Sequence, residues 1–160
     1  MYQFYLLAQA EKGNAEAFWI LAEHYLPVIF NEVWLLSGST AETKRMMEQG
    51  LLAAWSKIRT MANRGAFQNF LSRTIVETAF SRLRKHKTPL IPGPQDDEII
   101  KEASTPVQAI LQLNRLERCL VILRYLENLT LQEIAVLLGK REEQVSEALA
   151  RILSSLEIPE

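Results

Sequence analysis

Four of the chain's six prolines, Pro89, Pro92, Pro94 and Pro106, fall inside one stretch, Thr88–Pro106, TPLIPGPQDDEIIKEASTP. Proline has no backbone donor and drives its preceding residue out of the helical region, so this stretch predicts an extended linker rather than part of a packed core. The 160 residues are thereby divided into a domain over 1–87, a linker over 88–105 and a domain over 106–160. The second domain is close to the ~60-residue size at which a single core is marginal. Charge divides at the same seam. Up to residue 87 there are eleven basic and seven acidic residues, and from 88 onward seven basic and twelve acidic, so a net charge of −1 conceals halves of +4 and −5.

Everything outside the linker reads as helix. Val and Ile never alternate with polar residues over a strand's length, and no Asn-Gly or Asp-Gly hairpin signal occurs. Gly13-Asn14 precedes a helix with Phe18, Leu21, Tyr25 and Ile29 at three-four spacing and Pro27 as a kink. Ser39-Thr-Ala-Glu42 is a capping-box pattern opening a helix with the inward stripe Met47, Leu51, Ala54, Trp55, Ile58. A third helix is expected from Phe67 to His86, with Leu71, Ile75, Thr78 and Ala79 on one flank and Val76, Phe80 and Leu83 on the next. Thr105 is the expected cap of the next helix, with Pro106 at its first position. The fold class expected is all-α, two small helical domains joined by the proline-rich linker.

Composition removes whole classes of function. At 48% hydrophobic and 23% charged the chain is globular rather than disordered. Its single cysteine, Cys119, excludes an internal disulfide and a multi-cysteine zinc site, and His24 and His86 leave little for a metal centre. Its six glycines are scattered, so there is no phosphate-cradling loop. No catalytic residues, metal or cofactor are expected. The uncharged runs fall far short of the ~20 residues that span a bilayer. The apolar run Tyr2–Ala8 has no positive charge ahead of it, as a signal peptide would. The expectation is a cytoplasmic protein without membrane contact.

The sharpest local pattern is Thr130–Leu156. Thr130-Leu-Gln-Glu133 is a capping box, Ile134, Ala135, Leu137 and Leu138 follow, and Gly139 suits the left-handed residue that closes a helix. A second helix then carries Val145, Leu149, Ile152 and Leu156 inward. A small Ala at the crossing and a Gly in the turn are the steric needs of a helix-turn-helix.

These residues, with several earlier ones, resemble an extracytoplasmic-function sigma factor of the sigma-70 family. In the first domain the resemblance rests on Gly13-Asn-Ala-Glu-Ala-Phe18, Tyr25, Pro27, Leu36-Ser-Gly38, Leu51-Leu-Ala-Ala-Trp55, Phe67-Gln-Asn-Phe-Leu71 and Ser81-Arg-Leu-Arg-Lys85. In the second it rests on Arg118, Leu120–Glu127, Leu129, Glu133-Ile-Ala135, Leu138-Gly139 and Val145. The resemblance implies a non-enzymatic subunit whose partners are core RNA polymerase and promoter DNA, and it leaves room for an anti-sigma factor. The first domain would bind the polymerase clamp through Met46, Met47, Gln49 and Leu52, with Met46 and Leu52 off the inward stripe. It would hold the minus-ten element through Arg73, Arg82, Arg84, Lys85 and Lys87. Arg141, Gln144 and Arg151 would read the minus-thirty-five element from the recognition helix.

The chain departs from the family's pattern at functional positions. Lys44-Arg45 replaces an acidic pair in the polymerase-binding segment, and Glu77 stands where an Asn is usual. Glu142, Glu143 and Glu147 cancel Lys140, Arg141 and Arg151, removing most of the non-specific attraction to phosphates. Two readings follow: a sigma factor that directs polymerase to promoters, or a sigma-like interaction protein that keeps the fold and has lost much of its promoter contact.

Overall fold

The computed structural model describes residues 2–60, 67–85 and 93–156, and among these it contains ten α-helices and no strand. The all-α expectation holds. The chain forms two compact units, one of Met1–Val33 with Ala41–Pro89, the other of Trp34–Thr40 with Leu90–Glu160.

In the first unit α1 (Tyr2–Glu11) and α2 (Ala15–Glu23) form a helical hairpin. The Asn14 side chain caps α2 by accepting the Ala17 amide at 3.1 Å. Pro27 does not kink a continuous helix. The helix breaks, α3 (Leu26–Ser37) begins one residue before Pro27, and the proline sits where its missing donor costs no hydrogen bond. Next come α4 (Thr40–Lys57), a 3-10 turn over Ile58–Thr60 and α5 (Phe67–Lys85), whose start matches the sequence expectation. His86 and Lys87 lie outside the described residues.

Most of the inward faces read from the spacing are buried: Met47 and Ala54 on α4, Ile58 in the 3-10 turn, and Leu71, Ile75, Val76, Ala79, Phe80 and Leu83 on α5. Leu51, Trp55 and Thr78 are half-buried. Phe18 anchors an aromatic cluster, with ring centroids 5.2 Å from Trp55 and 6.2 Å from Phe67. Where α4 crosses α5, a Cβ placed on Gly50 would lie 2.8 Å from the Ile75 Cα. Only glycine permits that approach.

The second unit holds α6 (Pro94–Glu102), α7 (Thr105–Leu111), α8 (Arg115–Val121) running into a π turn over Ile122–Leu126, α9 (Leu131–Leu138) and α10 (Glu142–Leu156). The α6 helix corrects the expectation of an extended linker over residues 93–102; Thr88–Pro92 lie outside the described residues. Pro94 occupies the first helical position, where proline's fixed φ favours helix. Asp96 at the third returns to accept the Gly93 amide at 2.8 Å. The next cap is Ser104 rather than Thr105, so Pro106 falls second in α7. The core gathers Cys119, Leu120, Leu123, Ile134, Leu138, Val145, Leu149 and Ile152, and α10 packs on α7, α8 and α9.

Candidate nucleic-acid interface

Three residues of the second unit determine the geometry of its last two helices. The Thr130 hydroxyl accepts the Glu133 amide at 3.1 Å, and the Glu133 carboxylate accepts the Thr130 amide at 3.3 Å. Gly139 ends α9 with φ 65°, in the left-handed region, and the chain turns directly into α10. Ala135 and Leu138 on α9 and Val145 and Leu149 on α10 are buried. This is the helix-turn-helix expected from Thr130–Leu156.

On α10 the buried stripe leaves Glu142, Glu143, Gln144, Ser146, Glu147, Ala150 and Arg151 exposed, with Arg141 just before them. Arg151 on α10 and Arg141 at its start therefore stand beside three carboxylates whose charge offsets theirs. Gln144 has a second duty: its side-chain oxygen accepts the Arg141 amide at 3.0 Å, closing the first turn of α10. Gln144, Glu147 and Arg151 line one wall of a cleft of about 410 Å³, faced by Asn114 and Glu117 of the α8 start and by Lys140. Asn114 and Glu117 form a reciprocal capping box, at 2.9 and 3.1 Å. Asn114-Arg-Leu-Glu117 carries that signal in sequence, and the sequence reading missed it.

The basic cluster at the end of α5 does not face one way. Arg82 donates through Nε to Glu42, which also receives Arg45 Nη1 at 3.2 Å. Burial raises the Glu42 pKa, and the hydrogen bonds and charges of Arg82 and Arg45 outweigh it, leaving the carboxyl below its usual range. Glu42 is thus a bridge between α4 and α5, and one of the two residues departing from the acidic pattern, Arg45, serves it. The Arg84 guanidinium lies over the Phe80 ring, 5.6 Å from its centroid. Arg84 and Lys85 are exposed, while Arg73 and Glu77 are half-buried.

On α4, Met46 is 0% exposed and Met47 also lies in the core. This corrects the placement of Met46 off the inward stripe. The helix buries a wider face than a simple stripe, with Thr43, Met46, Met47 and Gly50 all enclosed. Of the four residues expected to meet polymerase, Gln49 and Leu52 are on the surface, Leu52 at 69% exposure. Beside them Leu26, Pro27, Phe30, Met47 and Leu51 line an open apolar groove rimmed by Glu23, Lys44 and Glu48.

Cys119 is fully buried, and desolvation pushes its thiol pKa up, which suits packing and not nucleophilic chemistry. No group of three or more metal-ligating side chains occurs among the described residues, and no described helix is long and apolar enough to cross a membrane.

Residues 107–156 match the family "Sigma-70, region 4". The ECF RNA polymerase sigma factor BldN of Streptomyces coelicolor is 24% identical over 94% of this chain, which spans 63% of that protein's length. The solved structure of CnrH in complex with the cytosolic domain of CnrY aligns over 98% of this chain and 96% of the CnrH structure's chain, with a TM-score of 0.61 and 19% identity. That likeness supports the all-α fold. The helix-turn-helix of this chain lies wholly within the matched segment, and along nearly its full length the chain is similar to the extracytoplasmic-function sigma factors of the sigma-70 family.

Proposed function

We propose that this protein is a sigma factor that binds core RNA polymerase and directs it to a subset of promoters. The observation that carries the reading is the coincidence of the region 4 match over residues 107–156 with a helix-turn-helix whose recognition helix leaves Arg141, Gln144 and Arg151 exposed. In this reading α10 enters the major groove at the minus-thirty-five element. Arginine and glutamine side chains are suited to paired hydrogen bonds with guanine and adenine edges. Arg84 and Lys85, with Arg73 behind them, serve the minus-ten element, and Lys87 is assigned with them. Gln49 and Leu52, next to the apolar groove under α3, serve the polymerase clamp.

The charge balance of α10 determines how such a protein works. With Glu142, Glu143 and Glu147 beside its cations, the isolated domain gains little from counterion release. Specific contacts must then act with the domain already held near DNA by polymerase, where tethering supplies an effective concentration in place of intrinsic affinity. The chain alone should bind promoter DNA weakly, and the polymerase complex should bind it well.

The second reading is a sigma-like interaction protein that has given up most promoter contact. The same three carboxylates favour it, as does the capping role of Gln144. CnrH is solved with a protein partner, the cytosolic domain of CnrY, and a protein partner for this chain, an anti-sigma factor among them, fits either reading.

Purified chain, core polymerase and a promoter library separate the two. Run-off transcripts from a defined promoter support the sigma factor, binding without transcripts supports the interaction protein, and the absence of both polymerase binding and transcripts rejects the sigma factor. In the polymerase complex the double variant Glu143→Lys, Glu147→Lys should steepen the salt dependence of DNA binding by about two units of log–log slope if both new charges meet phosphates. An unchanged slope means that α10 does not face DNA.

A further inference from the structure

Helices α6 and α7 contain one buried residue between them, and it is a carboxylate. Asp96 is 1% exposed, and α7 buries nothing fully. The apolar residues of α6 do not hold it in place: Ile99 is 48% exposed and Ile100 half-buried. Hydrogen bonds do. Asp96 Oδ2 accepts the Gly93 amide at 2.8 Å, a bond internal to the start of α6. Its Oδ1 accepts the Trp34 indole Nε1–H at 3.0 Å, the Thr40 amide at 3.1 Å and the Thr40 hydroxyl. These three donors come from the corner between α3 and α4, more than fifty residues earlier. The same corner is touched from α8, where Arg118 Nη1 lies 3.5 Å from the Leu36 carbonyl oxygen. At the far end of α6 the Gln108 side-chain amide donates to the Ile100 and Ala103 carbonyls, both at 3.1 Å.

We infer that Asp96 is the pin of a detachable strap: α6 has a docked state, in which the carboxylate fills the notch formed by Trp34 and Thr40, and a released state in which α6 leaves that notch while the α8–α10 core stays folded. Apolar burial resists local opening because every exposed side chain must be rehydrated. A carboxylate that leaves its protein donors is taken up at once by water, so undocking α6 exposes little apolar surface and turns on this one group. An element held in that way belongs to the low-stability end of a protein's local opening spectrum. The notch itself is specific, since three donors converging on one oxygen pair match a carboxylate and leave an amide or hydroxyl short of acceptors.

Amide hydrogen exchange on the full chain, read by peptide mass spectrometry, tests this with Asp96→Asn and Thr40→Val. The Asn variant keeps the size and places an NH2 group against donors. The Val variant removes one donor and leaves the Thr40 amide and Trp34 in place. The expected result is exchange in peptides covering 94–102 at least ten-fold faster in Asp96→Asn, an intermediate rise in Thr40→Val, and unchanged exchange over 131–156. Unchanged protection of 94–102 in both variants overturns the inference, because the pin then lies elsewhere. Equal acceleration over 94–156 in either variant also overturns it, because Asp96 then belongs to the cooperative core. Should Asp96→Asn not fold, Thr40→Val decides by whether its rise is confined to 94–102.

Discussion

The α4–α5 pair of the first unit and the α9–α10 pair of the second solve the same problem, holding two helices together, by different physics. The α4–α5 helices are long, and their crossing is set by volume. Gly50 must be glycine because the Ile75 backbone occupies the space of a Cβ, and Glu42 ties the pair through Arg82 of α5, with Arg45 of its own helix on the same carboxylate. The α9–α10 pair is short, and its geometry is set by backbone conformation at the helix ends. Gly139 must be glycine for its φ of 65° although open space surrounds it. One region is specified by what fits between the helices, the other by how each helix begins and ends.

That contrast yields substitutions of graded cost. Leu138→Asp should have the largest effect. Leu138 is 8% exposed in the small second core, and an unpaired buried carboxylate costs several kcal/mol, on the order of such a domain's whole stability. Circular dichroism should show loss of the second unit's helices, and a fully folded variant would remove Leu138 from the core. Gly50→Ala comes next. Its methyl would lie 2.8 Å from the Ile75 Cα and 2.9 Å from both of that residue's γ carbons, and overpacking of this kind costs about 1–3 kcal/mol. A denaturant midpoint equal to wild type would mean that α4 and α5 separate freely, which would break the comparison at its first term.

The two kinds of specification were unequally legible in sequence. Apolar spacing reports volume, so the buried faces of α4 and α5 and the start of α5 at Phe67 were readable. So were the Thr130 box and the Gly139 turn, because cap chemistry has short signatures. The failures share a cause: one residue type serves two structures. Pro94 reads as linker beside its neighbours, yet proline at a first helical position with an acid two places on starts α6; Gly-Pro-x-Asp was the available signal. Pro27 likewise starts α3 instead of kinking a longer helix. Spacing puts Met46 outside the stripe because it does not report how wide a face the folded neighbours cover. For the candidate interface, sequence located the helix-turn-helix but could not show that Arg82 is engaged by Glu42 or that Gln144 caps its own helix. Both depend on rotamers set by folded neighbours.

Acid sensitivity belongs to both units and is the next smaller effect. Burial raises the pKa of Asp96, and the bonds from Thr40, Trp34 and Gly93 outweigh it, so its carboxyl, like that of Glu42, sits below the usual range. A carboxyl depressed in the folded state binds protons first in the unfolded chain. Its stabilisation is therefore complete above the ordinary carboxylate values near pH 4 and is lost as pH falls through the depressed folded values. Denaturation midpoints should be flat from pH 7 to about 5.5 and fall below pH 4. Glu42→Gln should be weaker than wild type at neutral pH and lose less on acidification. An identical acid profile in the variant would assign the fall to other carboxylates.

The finest discrimination comes from α9, where the two ends are specified separately. Gly139→Ala has room for its methyl but must hold it at φ 65°, at a cost of about 1–2 kcal/mol for a left-handed non-glycine residue. Thr130→Ala removes the hydroxyl that accepts the Glu133 amide and should cost about 1 kcal/mol. Thr130→Ser restores the oxygen without the methyl. If capping is what Thr130 contributes, Ser recovers most of the loss in a urea midpoint while Ala does not. If Ser and Ala are equally weak, the methyl's packing is what matters, and the second unit is specified by volume after all. That result would collapse the distinction between the two helix pairs at its most sensitive point, because Thr130 is half of the reciprocal bond on which the start of α9 depends.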